Sequence, residues 1–266
     1  MLLATPYPEL NAVLDQFVRA AELALGDRFI GAYLQGSFAV GDFDEHSDAD
    51  FIVAVRDELK PEQVARLQQL HRDLYNLPVQ WAKHLEGSYF PAALLRSSDG
   101  AGASLWYLDH GNSALVQSSH CNTLVVRVVL REYGITLAGP SPSELIDPIS
   151  VGALRRETRH MMQQWAREIL NDPGPYRNCF YQGYIVLSYA RMLHDLVEGR
   201  PGSKRAGAEW AKTTLGPESR DLIDRAWATR PDPASSVRQP ADPVDFERTL
   251  EFMQFCIERA GGGPPF

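Results

Sequence analysis

GSFAVGDFDEHSDADFIVAV, residues 36–55, couples a Gly-Ser turn to two carboxylates, Asp48 and Asp50, the second of which opens an apolar run. Side chains alternate along a strand, so carboxylates two residues apart project from one face and can share a divalent cation. Residues 51–55 are apolar and predict the buried strand that holds the pair. Gly36-Ser37 follows another apolar run, residues 29–34, so its backbone amides and the Ser37 hydroxyl are suited to a phosphate. Asp42 and Asp44 are also two apart and compete for the metal role. They lie in a loop outside any apolar run, which favours Asp48 and Asp50.

The order Gly36-Ser37, ten residues, Asp48-Ala49-Asp50 resembles the nucleotidyltransferase fold of the DNA polymerase β superfamily. That resemblance implies a third carboxylate on the strand next to the Asp-x-Asp strand. Glu86, within the strand predicted for residues 79–89, is the natural candidate, as catalytic base and metal partner. His84 is expected to share its face. Gly87 is expected to end that strand.

The 266 residues are 44% hydrophobic, enough for one large domain or two small ones, and we expect two. No apolar stretch approaches the roughly 20 residues of a membrane span, and the first residues lack a basic leader. The protein is therefore expected to be soluble and cytoplasmic, with no membrane partner. Cys121, Cys179 and Cys256 lack close partners and are expected to be reduced core thiols. Residues 1–148 carry 10 Lys/Arg against 19 Asp/Glu, a balance of −9, whereas residues 149–266 carry 16 against 15. Without a basic cluster, nucleic acid is disfavoured as a partner, while an acidic surround is expected to attract Mg²⁺ or a polycationic small molecule.

Residues 8–25 place Leu10, Val13, Leu14, Phe17, Val18 and Ala21 at helical spacing, and residues 60–77 repeat the pattern behind Pro61. Residues 90–110 suggest a loop leading into a short strand, in which Trp106 and Tyr107 either wall a cleft or belong to the sheet core. Residues 122–133 predict a helix with Asn122 at its start, placed to cap it or to meet a ligand. A last strand is expected at residues 135–138. Gly139-Pro140-Ser141-Pro142 and Asp147-Pro148 punctuate the chain, placing the boundary between domains 1–148 and 149–266. Beyond it, Leu154/Met161/Trp165/Ile169, Tyr181/Ile185/Ser188/Met192 and Phe246/Leu250/Met253/Ile257 form three stripes, predicting a bundle of three long helices. Residues 229–243 suggest a surface loop, and the Gly-Gly-Gly-Pro-Pro tail a disordered end.

Residues 188–215, SYARMLHDLVEGRPGSKRAGAEWAKTTL, are similar to the helical domain of bacterial streptomycin- and spectinomycin-modifying aminoglycoside adenylyltransferases. ITLAGPSPSELIDP at 135–148 is similar to that family's interdomain join, and HSDAD at 46–50 to its metal strand. The resemblance implies that Arg191 and Lys204 reach the nucleotide phosphates and that Ser37 and Ser47 are phosphate-side hydroxyls. It places an Asp where this chain has Asn122, an amide still able to bond the nucleotide. The family's acidic drug contacts precede the helix of Arg191, where this chain retains only Asp172 within NDPGPYRNCFY.

Together these features predict an α/β (α+β) nucleotidyltransferase domain with a mixed sheet followed by an all-α helical bundle. The expected reaction is Mg²⁺-dependent transfer of AMP from ATP to a hydroxyl of a small acceptor held between the domains, an aminoglycoside or aminocyclitol antibiotic being the leading class. Asp48 and Asp50 would bind two Mg²⁺, with Glu86 completing the site. Gly36, Ser37, Ser47, Asn122, Arg191 and Lys204 would contact the nucleotide, and Trp106 and Asp172 the acceptor. The alternatives are a nucleotide-binding regulatory or antitoxin-like module of the same fold, and a nucleotidyltransferase acting on another small-molecule or macromolecular acceptor. A monomer or weak oligomer is expected.

Overall fold

The computed structural model of the protein describes residues 3–45, 47–230 and 233–261. The chain divides into two compact units, Met1–Ile149 and Ser150–Phe266. In the first, every residue of strand β2 (Ala49–Val55) is buried except Asp50. Such a run needs cover on both faces, and helices provide it. A six-stranded sheet has the order β5-β4-β3-β2-β1-β6. Its strands are β1 (Phe29–Leu34), β2, β3 (Leu85–Pro91), β4 (Leu105–Leu108), β5 (Leu115–Ser118) and β6 (Ile135–Ala138). Only β2 and β3 pair in parallel, joined through a crossover helix, so the sheet is mixed.

Helices α1 (Pro8–Leu25) and α3 (Pro61–Tyr75) cover one face. Leu10, Val13, Leu14, Phe17, Val18 and Ala21 are all buried there with Phe51, Val53 and Val55. Between β1 and β2 the chain forms a short helix, α2 (Gly36–Val40). The other face, with Tyr33, Ile52, Ala54 and Phe90, is closed by Leu95 of α4 (Ala92–Arg96), Leu130 of α5 (Leu124–Tyr133) and Ile146 after α6 (Pro142–Leu145).

Three local expectations are corrected. Residues 80–83 form a 3₁₀ turn, so the strand starts only at Leu85. Gly87 lies inside β3 and does not end it; a Cβ there would come within 2.0 Å of the Phe51 carbonyl oxygen, so the glycine lets two strands approach. The edge strand β5 stands in a stretch the sequence left without an element.

The second unit holds α7 (Val151–Asn171), α8 (Cys179–Glu198), α9 (Lys204–Thr214), α10 (Pro217–Ala228), α11 (Pro233–Ser236) and α12 (Pro243–Gly261). The three long helices are present, and α9 and α10 complete the bundle around α8. Asn178 caps α8 by accepting from Tyr181 N–H at 3.0 Å, and Gly199 ends it in the left-handed conformation. In α7 the buried methionine is Met162; Met161 is exposed. The 229–243 segment includes α11 and a bridge from Asn178 to Pro240. The Gly-Pro tail beyond Gly261 and His46 lie outside the described residues. Cys121 and Cys256 are buried thiols, while Cys179 is only half-buried. Among the described residues no helix is long and apolar enough to cross a membrane.

Candidate active site

The Gly-Ser turn and the acidic strand meet in space. Gln35 N–H donates to the Asp50 carbonyl at 2.9 Å, closing the β1–β2 ladder. Gly36 follows with φ +63, and a Cβ at that position would lie 2.0 Å from Asp50 Oδ2. Both the backbone conformation and the space require glycine. The Ser37 hydroxyl oxygen is buried with no hydrogen-bond partner among the described residues. Phe38 anchors the turn by stacking on Phe43, 4.7 Å between ring centroids, beside Tyr7 and Trp81.

Parallel pairing sets Asp50 directly opposite Glu86. Alternation then puts Glu86, Ser88 and Phe90 on the face of Asp50, Ile52 and Ala54. The Glu86 side chain is 13% exposed. Tyr107 Oη lies 2.7 Å from Glu86 Oε1 and 2.9 Å from Asp109 Oδ1. One hydroxyl proton can serve only one of these oxygens at a time, so the two carboxylates compete for it. His120 Nε2 stands 3.5 Å from Glu86. Burial raises the Glu86 pKa, and the charges of Asp48 and Asp109 raise it further, against the Tyr107 hydrogen bond and His120. Burial and Glu86 together hold the Tyr107 hydroxyl far above its ordinary range.

Asp48, just ahead of β2, is more open at 41% side-chain exposure, and its Oδ1 lies 2.6 Å from His110 Nδ1. The Asp48 carboxylate raises the His110 pKa despite partial burial. The nearby Asp44 closes its own turn: its N–H donates to Ser47 Oγ at 2.9 Å, and the Ser47 hydroxyl donates to Asp44 Oδ1 at 3.3 Å. Ser47, expected on the phosphate, is thus tied to loop structure here.

Asn122, expected to cap the next helix or to meet a ligand, does not cap it. It is buried, and its Nδ2 donates to the carbonyls of Gly100 and Ala103 at 2.9 and 2.8 Å, bracing the loop before β4. Thr123 caps α5 in its stead, accepting from Val126 N–H. Trp106 is a clear correction: pleating turns it to the α1–α3 side of the sheet, packed on that core. Its neighbour Tyr107 takes the carboxylate side.

In the second unit, Arg191 and Lys204 belong to one helix pair. A Cβ on Gly207 would come within 2.5 Å of the Arg191 Cα, which shows how closely α9 approaches α8. Lys204 opens α9 behind its Ser203 cap and sets Nζ over the Tyr184 ring, 4.9 Å from its centroid. Tyr184 lies two turns before Arg191 on α8, so both basic residues relate to one α8 face. Asp172 ends α7, exposed, with Oδ1 accepting from Gly174 N–H at 3.3 Å.

Sequence reasoning did not find Asp109, His110 and His120. They sit in the connections flanking β5, and only the unrecognised β4–β5 hairpin brings them back to the carboxylates. Among the described residues, His84, His110 and His120 collect around this acidic group.

The donor set suits a hard cation. Asp48, Asp50 and Glu86 offer carboxylate oxygens from adjacent strands, and the mutual repulsion that raises Glu86 is relieved by positive charge. The missing Cβ of Gly36 makes room for the Asp50 carboxylate beside the turn.

Residues 144–247 match the family defined by the aminoglycoside adenylyltransferase C-terminal domain. The fold matches the crystal structure of spectinomycin adenyltransferase AAD(9) from Enterococcus faecialis with ATP and spectinomycin. The TM-score is 0.69 over 94% of this chain and 98% of that one, at 14% identity. At that identity the likeness is one of fold. No curated protein matches the chain by sequence. The resemblance carried by the sequence motifs therefore extends to a family match in the C-terminal half and to the architecture of nearly the whole chain.

Proposed function

We propose that the protein is a nucleotidyltransferase that moves AMP from ATP to a hydroxyl of a small acceptor, releasing pyrophosphate. The carrying observation is the in-register pair Asp50–Glu86 with Gly36-Ser37 packed on Asp50. This arrangement supports a phosphate-binding role for the turn beside a pair of carboxylates suited to a cation. Asp48 and Asp50 would hold Mg²⁺, with Glu86 adjoining. Bound Mg²⁺ supplies charge that offsets the triphosphate and polarises its oxygens.

Glu86 takes the acceptor proton as the hydroxyl oxygen attacks the α-phosphorus in line; the new P–O bond replaces the bond to pyrophosphate. Its raised pKa makes it a better proton acceptor than an ordinary carboxylate while remaining ionised at higher pH. Tyr107 orients it by donating to Oε1. The Gly36 and Ser37 amides and the Ser37 hydroxyl hold phosphate oxygens, using the buried hydroxyl that has no partner among the described residues. Arg191 and Lys204 supply positive charge to the departing pyrophosphate.

The acceptor belongs to the aminoglycoside and aminocyclitol class. Asp172 is the sole acid between Asn171 and Tyr181, which favours a molecule with few ammonium groups, such as the spectinomycin held by the structural neighbour, over a polycationic one. Pyrophosphate release from Mg²⁺-ATP with a panel of aminocyclitols, aminoglycosides and small hydroxyl metabolites tests this. Release with one acceptor and a product heavier by one adenylyl group is expected. ATP binding without release by any acceptor would favour the regulatory-module alternative.

A further inference from the structure

Asp48, His84 and His110 place one metal-ligating atom each within 4.8 Å of the others. They come from three separate segments: the approach to β2, the end of the 3₁₀ turn before β3, and the β4–β5 connection. Backbone bonds hold all three in place. Ala49 N–H donates to the His84 carbonyl at 2.8 Å, and Gly111 N–H to the Lys83 carbonyl at 3.0 Å. The two imidazoles meet edge to face, centroids 5.1 Å apart. Two nitrogens and one carboxylate oxygen are the donor set of zinc-type ions; Mg²⁺ prefers oxygen alone.

We propose that Asp48, His84 and His110 form a binding site for a borderline-soft divalent cation of the Zn²⁺ class, distinct in donor set from the carboxylate platform and sharing only Asp48 with it. Two ligand atoms on one tetrahedral zinc stand roughly 3.3 Å apart for bonds of about 2.0–2.1 Å. The 2.6 Å separation of His110 Nδ1 and Asp48 Oδ1 therefore opens by less than about 1 Å to admit the ion. Asp48 and His110 are partly exposed, so the ion enters from solvent and keeps a position for water. Filling the site draws Asp48 from Mg²⁺-ATP and makes the ion an inhibitor; that consequence, unlike the binding itself, rests on the transferase function proposed above.

Titrating the full-length protein with Co²⁺, followed by visible absorption, tests the binding without any variant. An intense band of a four-coordinate nitrogen-oxygen site, saturating at one ion per chain and lost on adding Zn²⁺, is expected. A weak six-coordinate spectrum overturns the proposal. His84→Asn and His110→Asn, each checked for fold by circular dichroism, should lower Zn²⁺ affinity by calorimetry at least about 10-fold, whereas His120→Asn should leave it unchanged. Equal affinity in both variants, or loss in His120→Asn alone, refutes the ligand set. Zn²⁺ should also slow pyrophosphate release by the wild type more than by His110→Asn. Zn²⁺ seated as described with turnover untouched overturns the inhibitory consequence and leaves the site standing.

Discussion

Gly36→Ala separates backbone strain from damage to the carboxylate site. A Cβ at Gly36 would lie 2.0 Å from Asp50 Oδ2, and ordinary contact begins at 3.4 Å, so the carboxylate must retreat by about 1.4 Å. The left-handed conformation at φ +63 adds about 1–2 kcal/mol of strain for alanine. Against a typical stability of roughly 5–15 kcal/mol the variant still folds. A displacement of about 1 Å in a reacting constellation costs on the order of 100-fold in rate, and that is the expected fall in pyrophosphate release. Gly41→Ala is the control, because Gly41 has φ +73 but open space around its missing Cβ. It should lose similar stability in urea and keep its turnover. If folded Gly36→Ala works within threefold of wild type, or if Gly41→Ala loses as much activity, then Asp50 is not held by this glycine in the way described.

Asp50→Asn and Asp48→Asn should abolish AMP transfer with unchanged far-ultraviolet circular dichroism, while Asp42→Asn should do little; a dead Asp42→Asn with an active Asp48→Asn would move the metal to the other acidic pair. Glu86→Gln should still bind Mg²⁺-ATP by calorimetry while transfer falls about 10²–10⁴-fold, and near-normal transfer across a pH series would dismiss Glu86 as the base. Lys204→Ala, losing a charge-assisted phosphate contact worth roughly 1.5–3 kcal/mol, should weaken ATP binding or slow turnover about tenfold to a hundredfold; unchanged affinity and rate would remove Lys204 from the phosphate site. His71 is buried against Tyr89 Oη at 2.7 Å, and burial lowers its pKa from 6.5 to about 3. The unfolded chain therefore takes up a proton first as pH falls. Stability is full above about pH 6.5 and should decline by up to about 1.4 kcal/mol per pH unit toward pH 3, a slope that His71→Gln should reduce in urea titrations.

The first unit was legible where local pattern and burial agree. Each apolar residue that gave residues 8–25 a helical period is buried on α1, and the run 51–55 is the buried centre of the sheet. Asp48, Asp50 and Glu86 could be read because each stands at the edge of such a run. The misses concern distant partners. Gly87 looked like a strand end because the Phe51 carbonyl that needs the gap is 36 residues away. Trp106 and Tyr107 are equally aromatic, and only the β3–β4 register decides which of them meets Glu86. β5 buries Leu115 alone among its outer positions and shows no clean alternation, so its hairpin, and with it His110 and His120, stayed hidden. In the second unit α9 packs through Gly207, Ala208 and Ala211, small residues that leave a faint stripe.

The pairing of β2 with β3 also governs how the chain avoids a wrong sheet. Parallel strands joined through a helix have no tight turn to fix their alignment, so side chains must do it. A slip of β3 by one residue would carry Glu86 into the place of Gly87, opposite Phe51. Its Cβ would then strike the Phe51 carbonyl, whose oxygen lies only 2.0 Å from where any Cβ at that place would stand. Its carboxylate would enter the apolar layer of Phe17, Phe51 and Val53, at a cost of several kcal/mol unless neutralised. The opposite slip would set Ser88 against the same oxygen. Glu86 and Gly87 thus act during folding as a two-residue key that admits one alignment, and the residue proposed to move the proton is the one that makes the misaligned sheet unaffordable.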